Sequence, residues 1–154
     1  MVLKDRKSKR RSASSSPSPP ERLVFFTDAS LGRRVVPDAL RAAGEDVKVH
    51  AELFSPGMAD RVWLRVAGEE RRILLTKDSK IRYHRSEIVE FLSAGVRAFV
   101  LVSNNLPGSE MGKIFVKALP RIKKLCEIRP APFIAHVHKD GAVALMRTHR
   151  QRGA

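Results

Sequence analysis

The sequence predicts an α/β domain, helix on sheet on helix, with a mainly parallel central sheet and a C-terminal hairpin. Two observations carry that prediction. From Leu23 onward, apolar runs of about five to seven residues alternate with amphipathic stretches, the rhythm of strands followed by helices. Residues 72–76, Arg-Ile-Leu-Leu-Thr, show almost no polar alternation, as a strand covered on both faces does.

The elements follow in order. Strand one is expected over 23–27, ending on Asp28, and Pro37 suits the first turn of a helix that Gly44 stops. A short second strand spans 47–50, and Ser55-Pro56-Gly57 turns into a helix over 59–67 whose Trp63 belongs to the core. Strand three, 72–76, leads into Lys77 and Asp78, and Ser86 is placed to cap the helix that ends before Gly95. Strand four covers 98–102. Ser109 is placed to cap the longest helix, 110–127, in which Met111, Ile114, Phe115, Ala118, Ile122, Leu125 and Cys126 share one broad face and Pro120 is expected to cause a kink. Residues 133–138 and 142–146 flank Asp140-Gly141 as a terminal hairpin.

Charge divides the chain into three segments. Its 154 residues carry 30 Lys and Arg against 16 Asp and Glu, a net charge of +14. The segment 1–22 reads as a disordered, basic, Ser/Pro-rich tail, 23–146 as the folded domain, and 147–154 as a second basic tail. Both the tails and the domain are cationic, which favours a polyanionic partner. No apolar run approaches the roughly 18 residues of a membrane span, so no membrane partner is expected. The single cysteine, Cys126, excludes an internal disulfide framework and a Cys-rich zinc site. It is consistent with a reducing cytosol, and the basic start is followed by Ser and Pro rather than an apolar signal core, so a cytoplasmic location is expected. Walker A, GxGxxG, HExxH and GxSxG patterns are absent from the sequence.

Parallel sheets place ligands outside the carboxyl ends of their strands, and the residues expected there are acidic. Asp28 ends strand one, Asp78 follows strand three, and Asp60 starts the helix that leads into strand three. Carboxylates that converge in this way repel one another unless a hard divalent cation lies among them, which points to Mg²⁺ or Mn²⁺. Such an ion activates a water and steadies a phosphorane-like transition state. Lys77, Lys80, Arg82 and Arg85 stand beside the acids and suit phosphates, and Asn104, after strand four, joins Lys77, Lys80 and Arg82 as a substrate-binding candidate. Each has a structural alternative: Asp28 as a cap for Ala29-Ser30, Asp60 as a helix N-cap, the basic side chains as solvated charges. His136 and His138 share a strand face but show no third ligand nearby.

The ordered series Phe25-Phe-Thr-Asp28-Ala-Ser-Leu-Gly32, Asp60 before Trp63-Leu64, Leu74-Leu-Thr-Lys-Asp78, Gly95-Val-Arg-Ala-Phe-Val-Leu101 and Pro132-Phe-Ile-Ala135 resembles the PIN-like proteins related to VapC-type toxins. The resemblance covers about residues 23–146. It implies a small α/β fold, a clustered acidic site holding Mg²⁺ or Mn²⁺, and ribonuclease activity as the toxin of a toxin–antitoxin pair. By motif, it assigns Asp28, Asp60 and Asp78 as the catalytic, metal-holding acids. RNA, an antitoxin covering the acidic cleft and a homodimer are the implied partners. Arg61 and Val62 stand where such proteins carry further acids, and Asn104 and Asn105, rather than an acid, follow strand four. These departures keep open a non-catalytic RNA- or protein-binding module on the same fold. A receiver-like phosphoacceptor built on Asp78 and Ser103 lacks the acidic pair expected after strand one.

Overall fold

Phe25 and Phe26 are successive residues of the first strand, point to opposite faces and are both fully buried, so the sheet must be covered on both sides. The computed structural model describes residues 22–103 and 105–146. The expected tails, apart from Arg22, and Asn104 therefore lie outside the described residues. Strands β1 (Val24–Thr27), β2 (Asp46–Val49), β3 (Ile73–Thr76), β4 (Arg97–Leu101), β5 (Phe133–Val137) and β6 (Val143–Leu145) form a sheet in the order β2-β1-β3-β4-β5-β6. The first five are parallel and β6 returns antiparallel to β5, with Ala135 opposite Leu145 and Val137 opposite Val143. This is the expected PIN-like α/β architecture, hairpin included.

The helices are α1 (Val35–Ala42), α2 (His50–Leu53), α3 (Asp60–Glu69), α4 (Lys80–Tyr83), α5 (Arg85–Ser93) and α6 (Gly108–Ile128). On one face α1 and α6 bury Leu40, Phe115 and Ile122 against Phe25, Leu75, Phe99 and Phe133. On the other, α3, α4 and α5 bury Trp63, Leu64, Ile81 and Phe91 against Phe26, Leu74 and Val100. A fully buried Phe or Leu contributes about 1.5–3 kcal/mol through the apolar area it removes from water. The β3 and β4 residues are all buried, including Arg97, whose guanidinium donates to the Arg71 carbonyl at 2.8 Å.

Three local expectations are corrected. Ser86 and Ser109 cap nothing: α5 follows His84 and α6 follows Pro107, both in extended backbone. The His84 carbonyl already accepts from Ile88 N–H at 3.0 Å and that of Pro107 from Glu110 and Met111 at 3.0 and 3.1 Å, so each helix is under way before its serine is reached. The second strand ends at Val49 and His50 opens α2, its ring packed among Phe26, Phe54 and Trp63. Helix α6 continues through Pro120, and its buried face is the one expected. Among the described residues no helix is long and apolar enough to cross a membrane.

Helices α3 and α5 meet closely at Gly68, where a Cβ would stand 1.9 Å from the Ala94 carbonyl oxygen. Backbone cannot yield as a flexible side chain does. Gly68→Ala is therefore expected to destabilise the fold by about 2–3 kcal/mol in denaturant titration. Gly57→Ala, with nothing within 4 Å of the added carbon, is the matched control and should stay within about 0.5 kcal/mol of the parent.

Candidate functional site

Strands β1 and β3 are neighbours, but the chain leaves them in opposite directions. After β1 it crosses to α1 on one face, and after β3 it enters α4 on the other. The divergence makes their carboxyl ends the switch point of the sheet, outside which sheets of this kind form the crevice that takes ligands. Register then fixes what lines it. Thr27 pairs with Leu75 and the Asp28 N–H continues the ladder to the Leu75 carbonyl at 3.3 Å, so Asp28 comes to lie beside Thr76.

Asp28 is 8% exposed and accepts on both oxygens. Its Oδ1 takes the Ser30 N–H at 3.0 Å and the Ser30 hydroxyl at 2.5 Å, and its Oδ2 takes the Thr76 hydroxyl at 2.6 Å. The two hydroxyl oxygens are 3.1 Å apart, and each has a single proton, already given to Asp28. Their lone pairs accept in turn: Ser30 Oγ from Lys77 N–H at 3.0 Å and Thr76 Oγ1 from Asp78 N–H at 3.1 Å. Asp78 Oδ1 accepts from Lys80 N–H at 3.0 Å. One polar chain thus ties the end of β1 to the loop after β3.

Burial pushes the Asp28 carboxyl up to about 6 from 3.8; the Ser30 and Thr76 hydrogen bonds oppose the rise, and the nearby Asp78 charge adds to it. Among the described residues no Lys or Arg forms an ion pair with Asp28. The site therefore holds a buried negative charge without a counter-ion, arranged to favour the ionised form locally and penalised by its surroundings.

The other expected residues take distinct places. Asp78 is half-buried and within electrostatic reach of Asp28. Asp60 is exposed, and it does not act as an N-cap: Ala59 precedes the helix, and Asp60 Oδ1 accepts from the Trp63 indole N–H at 3.1 Å. It also lies near His50, whose pKa burial lowers although Asp60 opposes the shift. Among the described residues no three His, Cys, Asp or Glu side chains gather closely enough to hold a metal ion. The structure thus brings Asp28 and Asp78 together and seats Asp60 with His50 and Trp63. Lys77 and Arg82 are half-buried and Lys80 exposed, and none is in an ion pair among the described residues. Arg82 lies close enough to His136, at the end of β5, to help burial keep that imidazole neutral; His138 adds to the effect.

Ser30 and Thr76 are the functional side chains that sequence reasoning missed. A usable signal exists: each sits two residues from a candidate acid, at a strand end where parallel register brings side chains level.

A family model described as PIN like domain matches residues 23–103, just over half of the chain and the whole span from β1 to the end of β4. No curated protein and no solved structure matches the chain.

An acid whose pKa rises on folding binds more protons in the folded state between the two values, so stability falls as pH rises through that window. For Asp28 the window runs from about pH 4 to about 6, and at pH 7 the buried charge costs about 3 kcal/mol. In EDTA, the stability of Asp28→Asn relative to the parent should therefore rise by roughly that amount between pH 4 and pH 7, on top of a pH-independent cost of replacing one acceptor oxygen of the Ser30–Thr76 network by a donor. Thermal melts of the two proteins across the pH range will show that rise; a difference that does not change between pH 4 and pH 7 contradicts the raised pKa.

Proposed function

Because the chain belongs to the PIN-like domain family, we propose that it is a metal-dependent endoribonuclease of the VapC-related type, working in the cytoplasm as the toxin of a toxin–antitoxin pair. The observation that supports this most is the Asp28 carboxylate, buried without a counter-ion and beside Asp78 at the mouth of the crevice. The donor set fits Mg²⁺ or Mn²⁺: hard oxygen atoms from two carboxylates within electrostatic reach of each other. Asp28 and Asp78 are the residues that would hold the ion, with Asp60 the third acid of the family pattern. When bound, the ion supplies an activated water and neutralises charge on the phosphate under attack.

The chain's own residues do the rest. Ser30 and Thr76 fix the Asp28 carboxylate plane and keep both its oxygens ionised, since each hydroxyl is committed as a donor. The Lys80 N–H holds the Asp78 side chain. Lys77, Lys80 and Arg82, free of ion pairs among the described residues, offer the cations that position RNA phosphates. An antitoxin and a second copy of the chain are the further partners of this reading. A second reading, a non-catalytic RNA-binding module, draws support from Arg61 and from the absence, among the described residues, of a three-acid group.

Incubation of a mixed RNA pool with the purified protein in Mg²⁺, Mn²⁺ or EDTA decides between them. The nuclease reading expects cleavage with either metal and none in EDTA. Asp28→Asn and Asp78→Asn should each lower the rate on the order of 10²–10³-fold, several kcal/mol of transition-state stabilisation, and Asp60→Asn should lower it less. Equal rates for Asp28→Asn and the parent contradict the assignment. Metal-independent RNA binding without cleavage establishes the second reading.

A further inference from the structure

The chain has a single tyrosine, and it is not in the core. Tyr83 ends α4 with 68% of its surface exposed, five residues beyond Asp78. The helix is held firmly from beneath, because Ile81 is buried in the α3–α5 core. Arg82 braces the ring: its guanidinium carbon is 4.7 Å from the ring centroid and it donates to the Tyr83 hydroxyl. Arg82 is in turn half-buried beside His136, so the aromatic–cation pair is anchored toward the sheet while the ring stands in solvent. Lys77, Lys80 and Arg85 flank the pair along the sequence. Apolar protein partners select apolar surroundings, whereas an exposed aromatic beside cations that form no ion pair among the described residues suits a polyanion that carries flat bases.

We propose that Tyr83, braced by Arg82, is a base-stacking platform that takes one unpaired nucleobase of an RNA strand whose phosphate backbone runs over Lys77 and Lys80 toward the Asp28–Asp78 crevice. This deepens the ribonuclease reading and shares its RNA substrate, but it concerns binding and needs no chemistry. A base in a duplex is already stacked on its neighbours, so the platform favours single strands over duplexes. Tyr83 acts as a specificity-determining residue outside the acidic centre.

The test is fluorescence anisotropy in EDTA, where metal-dependent cleavage is off, with a short labelled single-stranded RNA and with the same sequence annealed into a duplex. Tyr83→Ala should weaken single-strand binding by about 5- to 100-fold, the loss of one stacked base, and leave duplex binding unchanged. Tyr83→Phe keeps the ring and should bind as the parent does. Tyr83→Ala binding single strands like the parent overturns the proposal, as does an equal loss for single strands and duplex. Loss in Tyr83→Phe matching that in Tyr83→Ala also overturns it, by assigning the effect to the hydroxyl–Arg82 link. No binding of either RNA by the parent rejects it outright and favours a protein partner at this surface. The exposed position makes both variants safe for folding, and a thermal melt checks this. A Tyr83 effect without metal-dependent cleavage keeps the platform and removes the nuclease; cleavage without a Tyr83 effect does the reverse.

Discussion

The Asp28 carboxylate and its two hydroxyl donors form the contact on which the rest of the site depends. Ser30 follows β1 and Thr76 ends β3, so the three groups join two strands that the chain leaves in opposite directions. That contact closes the inner end of the crevice and aligns the loop carrying Lys77, Asp78 and Lys80. It also creates a conflict. Hydroxyl donors favour the charge, burial opposes it, and no side-chain cation among the described residues settles the balance. A carboxylate kept in that state is costly to the fold, and a divalent cation drawn from solvent is the simplest species to offset the cost.

The surroundings of that contact are graded in burial. Asp28 is buried, Asp78 and Arg82 are half-buried, and Lys80 and Tyr83 reach solvent. The segment 77–83 thus carries half-buried and exposed side chains on either side of Ile81, which turns back into the core. On the opposite face of the sheet α1 and α6 close over an apolar core that includes Phe25 of β1 and Leu75 of β3.

Much of the fold was legible from the sequence because its strands are buried on both faces and appear as short, nearly continuous apolar runs. The α6 core face, Trp63 in the core and the terminal hairpin all follow from those runs and the turns between them. Helix starts were less legible. Ser86 and Ser109 are good caps by residue type, but carbonyls of His84 and Pro107 close the first turns before either serine. The acids at the strand ends could be named from position alone, yet their grouping could not. Strand register puts Asp28 beside Thr76, whereas Asp60 is claimed by an indole three residues on, a contact that a helix-cap rule does not foresee. Tyr83 escaped notice because a lone aromatic in a polar stretch has no periodicity.

Asp28 is buried with no side-chain counter-ion among the described residues, and the proposed function requires that a divalent ion bind it. Carboxyl-carbon NMR titration of the protein, with the Asp28 resonance assigned by its absence in Asp28→Asn, addresses it directly. A midpoint near 6 without metal, falling when Mg²⁺ is added, is the expected result. A midpoint near the ordinary 3.8, unmoved by Mg²⁺ or Mn²⁺, would contradict the account.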